Sequence, residues 1–158
     1  MQSFAIAATF AAAASASASD FPKFDSTHAN CEMTVTYPSW QCNSLYGMMD
    51  TEIRSWANGG PSGGLYAVHE EQLDSYIWST RTTPVAKYVD DQIFEFTQVG
   101  ANCSVQARSR SQTTSYYDYD TNYCNMWNVF NSLASFENLT TTKCKWVPTD
   151  PVTTCAIY

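Results

Sequence analysis

The sequence is poor in basic residues, and this shortage excludes one large class of partner. Eight Lys and Arg residues stand against 15 Asp and Glu residues, so the formal net charge is −7. A surface that binds nucleic acid nonspecifically needs an excess of positive charge to neutralise phosphates. We therefore expect no nucleic-acid partner. For the neighbouring arginines Arg108 and Arg110, pairing with carboxylates is a simpler interpretation than a phosphate site.

Histidine is also scarce, and the usual catalytic signatures are missing. The two histidines, His28 and His69, do not stand at a spacing typical of a metal site. The sequence has no G-x-S-x-G motif for a serine nucleophile, and disulfide-bonded cysteines cannot act as nucleophiles. The Gly-rich stretch 59–64 lacks the Lys and Ser/Thr of a P-loop, which indicates a flexible linker. The sequence thus predicts no catalytic residue, no metal and no cofactor.

Long apolar runs are absent after the N-terminal segment, so we expect no membrane span in the mature chain. The apolar stretch 4–14 is followed by small residues of the A-x-A type, a pattern typical of a secretory signal peptide. Its first residues contain no Lys or Arg, which departs from that pattern. We predict a signal peptide over 1–18 and a single secreted, extracellular domain over 19–158, with a Cys-containing tail over 138–158.

Cysteine, in contrast, is plentiful after the predicted cleavage site. We expect all six to be paired, as is usual in an oxidising compartment: Cys31, Cys42, Cys103, Cys124, Cys144 and Cys155. The sequence alone does not choose among the possible connectivities. Proximity along the chain favours Cys31–Cys42 and Cys144–Cys155, which leaves Cys103 for Cys124.

Two sequons, at Asn102 and Asn138, offer sites for N-glycosylation. Asn138 is the better candidate because we expect it in a polar Thr-rich loop after a helix. Asn102 stands at a predicted hairpin turn, beside a cysteine. The sequence therefore predicts a glycoprotein.

Periodicity and turn residues predict two helices and about five strands. Apolar residues at helical spacing predict helices over 44–57 and from about 121 to 135, the second capped by Asp120 or Thr121. The predicted strands are an edge strand that Pro38 stops and four more: 32–37, 65–68, 73–79, 88–99 and 102–111. The second and third of these join around Glu70 and Glu71.

The two longest strands suit a hairpin with a two-residue type II′ turn at 100–101. The resulting register places Phe96 opposite Val105 on one face and Asp91 opposite Arg110 on the other. The order β-α-β-β-β-β-α predicts a disulfide-stabilised α+β fold, in which both helices pack on one face of an antiparallel sheet of about five strands.

Three motifs in a fixed order carry a resemblance to a known family. The segment 89–96 reads V-D-D-Q-I-F-E-F, the segment 105–111 reads V-Q-A-R-S-R-S, and a D-x-x-x-N motif spans 118–122. In this combination the chain resembles the DUF1499 family, an uncharacterised family of bacteria and algae, over roughly 44–133. It departs from the family pattern at Gln112, where many members have Arg. The resemblance supports the fold and implies no established activity.

The same motifs hold the candidate binding residues. Four charged residues of the hairpin and two polar residues of the D-x-x-x-N motif could form a binding cluster at one end of the sheet: Asp90, Asp91, Arg108, Arg110, Asp118 and Asn122. The alternative is a cross-strand ion-pair network that fixes the register of the hairpin.

The segment that follows the hairpin also permits two interpretations. Residues 118–122 imitate the start of an EF-hand loop, but Tyr123 stands in place of its Gly and Val129 in place of its final Glu, which excludes a standard EF-hand. Helix capping explains the same residues, and a looser calcium site stays an alternative. The Tyr-rich stretch 115–119 suits either a sugar- or partner-binding surface or packing between sheet and helix.

Three functions compete at this point. The first is a secreted binding or interaction module whose partner is an extracellular ligand or surface. The second is a carrier of a small apolar ligand between sheet and helices. The third is a hydrolase that uses Asp90, Asp91 or Asp118. The missing catalytic motifs favour the first.

Overall fold

The computed structural model describes residues 17–158. The predicted signal peptide over 1–18 therefore lies outside the described residues, apart from its last two positions. Within 17–158, no helix has the length and the apolar character to cross a membrane.

A six-stranded antiparallel sheet forms the centre of the structure. Its strands are β1 (Asn30–Tyr37), β2 (Leu65–Gln72), β3 (Tyr76–Thr82), β4 (Val89–Val99), β5 (Asn102–Ser111) and β6 (Glu137–Thr142). They lie in the order β2-β3-β4-β5-β1-β6, and every neighbouring pair is antiparallel. The predicted α+β fold with an antiparallel sheet is confirmed, with one strand more than predicted.

Both long helices, α1 (Cys42–Ser55) and α2 (Thr121–Leu133), pack on the same face of the sheet, as predicted. Their apolar residues at helical spacing, among them Leu45, Met49 and Phe130, are fully buried in the main core. The short helix α3 (Pro151–Cys155) packs against α2. We call this side of the sheet the helix face.

The β4–β5 hairpin has the predicted register. Phe96 lies opposite Val105, and Asp91 lies opposite Arg110. The turn residue Gly100 has a φ of 59°, a value that the first central position of a type II′ turn requires and that glycine adopts without strain. Because side chains alternate along a strand, this register decides which charged residues can meet.

Two strand predictions are wrong. The first strand is not an edge strand, because the Thr-rich segment 137–142, expected to be a loop, pairs with β1 as β6. The turn between β2 and β3 lies after Gln72 rather than around 70–71. A shift in register between Val68 and Glu70 breaks the alternation of buried and exposed side chains in β2. This bulge explains why the sequence pattern predicted the end of the strand too early.

All six cysteines are paired, but the pairings differ from those predicted. The disulfides are Cys31–Cys144, Cys42–Cys103 and Cys124–Cys155. The predictions Cys31–Cys42, Cys103–Cys124 and Cys144–Cys155 are therefore wrong. Proximity in sequence fails because a strand separates neighbours: Cys31 lies near the start of β1 and Cys42 lies beyond its end.

The N-terminal segment 17–28 covers the other side of the sheet, which we call the N-terminal face. Phe21 is buried there against Trp78, with ring centroids 5.4 Å apart, and the two belong to a second, small apolar cluster with Tyr76 and Ile93. The sheet is thus covered on both faces, and polar residues of β4 and β5 are divided between two different environments.

Candidate functional site

A cleft of about 320 Å³ opens at one end of the sheet, where β3, β4 and β5 meet the loop 112–120. Hydroxyl groups form much of its wall: Thr83, Ser111, Thr113, Thr114, Ser115 and Thr121. Two carboxylates and three tyrosine rings complete the wall. Hydrogen-bonding groups and aromatic surface therefore border the same space.

Asp90 supplies the deeper carboxylate of the cleft. It is 3% exposed, and its Oδ2 accepts a hydrogen bond of 2.9 Å from Asn125 Nδ2. Burial raises the pKa of Asp90 above its ordinary value, although Asn125, Ser111 and the charge of Arg81 act in the opposite direction. A carboxyl group with a raised pKa holds its proton to a higher pH than an exposed one.

A chain of hydrogen bonds joins Asp90 to the second carboxylate, Asp118. Asn125 Nδ2 also donates to Ser109 Oγ at 3.3 Å, and Ser109 Oγ donates to Asn122 Oδ1 at 2.7 Å. Asn122 in turn donates through Nδ2 to Asp118 Oδ2 at 2.8 Å. Donors on β5 and α2 thus fix both carboxylates relative to each other.

Asp118 rather than Asp120 caps α2 with its side chain. Asp118 Oδ2 accepts from the backbone N–H of Asn122 at 3.1 Å, whereas Asp120 at the N-cap position makes no side-chain cap hydrogen bond. Asp120 is the N-cap residue, as predicted, although its side chain makes no cap hydrogen bond. The left-handed φ of 72° at Asp120 explains it, because a capping residue normally has extended backbone.

Three tyrosines, Tyr88, Tyr117 and Tyr119, form the aromatic rim of the cleft, and each is more than half exposed. Tyr117 and Tyr119 stack with their centroids 6.1 Å apart, and Trp146 packs beside both rings. The rim presents flat apolar surface with polar hydroxyl tips.

The loop that carries this rim is tied to two other parts of the chain. The backbone N–H of Ser115 donates to the carbonyl of Thr27 at 3.1 Å, and Lys145 Nζ donates to the carbonyl of Tyr116 at 3.3 Å. The ammonium group of Lys145 also lies 3.2 Å from the centroid of the Tyr116 ring. These contacts hold the loop against the sheet.

The other three candidate residues lie on the N-terminal face. Asp91 accepts from Trp78 Nε1 at 3.0 Å, and Arg108 Nη2 donates to Glu95 Oε2 at 2.9 Å. Arg110 Nη2 donates to Asp25 Oδ2 at 2.8 Å. Each of these side chains therefore has a charged or polar partner on its own face.

The structure thus brings three of the six candidates together and separates the others. Asp90 and Asp118 line the cleft, and Asn122 is bonded to Asp118. Asp91 and the two arginines lie behind the sheet as seen from the cleft. The sequence could not show this division, because it follows from strand alternation at adjacent positions such as Asp90 and Asp91.

Sequence reasoning missed a group of buried polar side chains next to the cleft, which we call the inner polar patch: Tyr66, Ser79, Arg81, Gln92 and Asn125. Their positions along the strands could have revealed some of them, because side chains two residues apart in a strand share one face. Ser79 and Arg81 lie on the same face of β3 as Ile77, the helix face, where apolar residues are the rule. Arg81 also lies directly opposite Asp90.

The Gly-rich stretch 59–64 lies over this patch instead of acting as a free linker. A Cβ atom added to Gly64 would come within 2.7 Å of Arg81 Nε. The guanidinium group therefore requires glycine at this position.

The two sequons occupy different environments. Asn138 is exposed on β6, whereas the side-chain oxygen of Asn102 accepts a hydrogen bond from the backbone N–H of Ser39 at 2.9 Å. Asn138 is therefore the more accessible acceptor. Glycosylation of either stays a prediction.

Over 17–158, the structure groups no three His, Cys, Asp or Glu side chains in a way that could hold a metal ion. The cleft offers carboxylates, hydroxyls and aromatic rings, which are groups that can form hydrogen bonds and stack on a ligand.

Comparison with known proteins assigns the chain to a family without adding an activity. No curated protein and no solved structure matches it. A family model described as a protein of unknown function, DUF1499, matches residues 15–133, which include the cleft carboxylates, β1 to β5 and both long helices. The chain belongs to the DUF1499 family.

Proposed function

We propose that this protein is a secreted binding protein whose cleft takes a small polyhydroxylated ligand of the sugar class. The observation that carries the proposal is the composition of one cleft: two carboxylates held by donors, a wall of hydroxyls and a rim of exposed tyrosines. Sugars present pairs of hydroxyls and flat C–H faces, which such groups recognise by hydrogen bonding and stacking. A few placed polar groups with aromatic surface are typical of ligand sites.

Secretion is part of the same proposal and rests on the cysteines. Three disulfides leave no free thiol among the described residues, a state that an oxidising compartment maintains. The predicted signal peptide and the exposed Asn138 support the same location.

The carrier of an apolar ligand receives less support from the packing. The space between sheet and helices is filled by large side chains that are fully buried, such as Phe94, Met126 and Phe130. Phe94 and Phe130 pack edge to face, with centroids 5.6 Å apart. Dense packing of this kind leaves little room for a ligand.

A hydrolase is the second candidate because Asp90 and Asp118 share the cleft in different environments. Burial favours the protonated form of Asp90, the form that a general acid needs, and Asp118 would act on water as the base. If this is correct, purified protein cleaves a glycoside or ester in a substrate screen, and Asp90→Asn abolishes the cleavage. A complete screen without turnover would leave the binding proposal as the better explanation.

The binding proposal is tested with purified full-length secreted protein on a glycan array, followed by titration calorimetry with the best ligand. We expect Tyr117→Ala to weaken binding by about fivefold to tenfold, because a stacking ring contributes about 1 kcal/mol. Leu73→Ala is the control, since this exposed apolar side chain lies in the turn between β2 and β3, outside the cleft. Equal losses in both variants, or an array without signal, would contradict the proposal.

A further inference from the structure

The inner polar patch lies directly behind the floor of the cleft. Thr83 and Asp90 border the cleft, and Arg81 and Gln92 lie two residues further along β3 and β4 on the same face. The five patch side chains are at most 1% exposed. Polar groups therefore continue from the cleft into the interior between the sheet and the helices.

Most of these buried groups have atoms without a hydrogen-bond partner. Arg81 leaves Nε and Nη1 unpaired, and Gln92 leaves both amide atoms unpaired. The hydroxyl of Ser79 and Asn125 Oδ1 also lack a partner, whereas the hydroxyl of Tyr66 faces the guanidinium group of Arg81. Buried polar groups are normally paired, so a cluster of unpaired ones next to a cleft offers hydrogen-bonding capacity that a ligand group can use.

The chemistry of the unpaired atoms selects the kind of ligand group. Donors dominate, because the guanidinium of Arg81 and the amide of Gln92 offer N–H groups and the hydroxyl of Ser79 can also donate. Arg81 adds a full positive charge. The carboxyl group of Asp90, on the opposite strand position, shows that a carboxyl group can be accommodated beside this arginine.

We propose that the ligand carries a carboxylate that pairs with Arg81 behind the floor of the cleft, so that the ligand class is an acidic sugar of the uronic acid type. The identity of the ligand class rests on the proposed function, whereas the anion site at Arg81 does not. Charge-assisted hydrogen bonds from a guanidinium are among the strongest that a protein offers, so this contact dominates selectivity.

Gly64 is the positioning residue of this site. The backbone of Gly64 packs close to the guanidinium group, and an added Cβ would lie 2.7 Å from Nε and 3.3 Å from Nη2. Gly64→Ala therefore displaces Arg81 without changing any group that lines the cleft. Gly47→Ala is the matched control, because an added Cβ at this position on α1 meets nothing within 4 Å.

The experiment compares glucuronate with glucose, which differ by a carboxylate in place of a hydroxymethyl group, on isotope-labelled full-length protein followed by NMR. We expect glucuronate to bind at least about tenfold more tightly than glucose. Arg81→Gln should remove this preference, so that the two sugars bind with similar affinity. Arg81→Lys keeps the charge in case the first variant does not fold, and it should retain only part of the preference. Gly64→Ala should reduce the preference and Gly47→Ala should not.

Sodium acetate alone separates the two proposals. We expect acetate to shift the amide signals around 79–81 and 92 in wild type and not in Arg81→Gln. Equal affinities for the two sugars would overturn the acidic-sugar inference and leave the sugar-binding proposal intact. Acetate shifts without binding of either sugar would overturn the proposed function and support the anion site. The absence of both acetate shifts and glucuronate preference would overturn the site itself.

Discussion

The arginines on the two faces of the sheet differ in whether they have ion-pair partners. On the N-terminal face, Arg108 pairs with Glu95 and Arg110 with Asp25, at 2.9 and 2.8 Å. On the helix face, Arg81 is buried with Nε and Nη1 unpaired. Arg110 also keeps one unpaired nitrogen, Nε, but it has an ion pair through Nη2.

This difference separates residues that hold the fold from residues that are available to a ligand. Paired charges near a surface contribute little and are easily satisfied, so the N-terminal face needs no further partner. Unpaired polar groups in the interior lower the stability of the fold. A protein that retains several of them beside a cleft is less stable at a place where binding can restore the lost stability.

The largest expected effect comes from the hydrogen bonds that Asn125 makes on the helix face. Its variant tests whether these bonds stabilise the fold. Asn125→Ala removes the donor to Asp90 and Ser109, and we expect the free energy of unfolding to fall by about 2 to 3 kcal/mol. Asn30→Ala on the other side of the molecule removes hydrogen bonds to the backbone carbonyls of Asp25 and His28 and should cost about 1 kcal/mol. Urea denaturation measures both. Equal losses would mean that the two faces do not differ in this respect.

A smaller change of opposite sign in the free energy of unfolding should come from the buried side chains that lack hydrogen-bond partners. Gln92→Met replaces an amide with two unpaired atoms by an apolar side chain of similar length, so we expect the protein to gain about 1 to 2 kcal/mol. Gln106→Met, where the amide is exposed and donates to Glu32, should change stability by less than about 0.5 kcal/mol. Thermal denaturation at one pH compares the two variants. A destabilised Gln92→Met would show that the amide has partners in solution.

The smallest effect concerns pH, and its sign differs between the faces. Burial raises the pKa of Asp90 above 3.8, so this group disfavours the folded state increasingly as the pH rises from about 3.8 to its folded pKa. Arg110 and His28 hold the pKa of Asp25 well below 3.8, so this group adds stability that is lost as the pH falls below about 3.8.

Two variants measure these slopes. Relative to wild type, Asp90→Asn should become more stable as the pH rises from about 3 to about 6. Asp25→Asn should become less stable relative to wild type over the same range, because the wild-type carboxylate is already ionised in the folded state and only the unfolded chain loses its proton as the pH rises. Chemical denaturation at several pH values gives the difference curves. Two curves of the same sign would contradict the assigned environments.

Much of the fold followed from local patterns. The hairpin of β4 and β5 was predictable with its register, since Gly100 fixes the turn and alternation then pairs Phe96 with Val105. The helices were predictable from apolar spacing. These features depend on residues that are close in sequence, where propensity and periodicity act directly.

The remainder depended on contacts between distant segments. Cys31 bonds to Cys144 because β6 pairs with β1. No local sequence pattern predicts a strand in the Thr-rich segment 137–142. Only part of the candidate site could be predicted from the sequence, for the same reason. Asp90 and Asp118 were candidates, but Arg81 joins them only when β3 is aligned with β4.

The bulge in β2 has a consequence for self-association. β2 and β6 are the two margins of the sheet, and a straight margin invites a strand from another molecule. Near its end β2 carries Glu70 and Glu71 beside the shift in register, and the pairing of β6 is itself irregular opposite 34–36. The register shifts at both edge strands and the negative charge on β2 disfavour pairing with a strand of another molecule, and so oppose edge-to-edge aggregation.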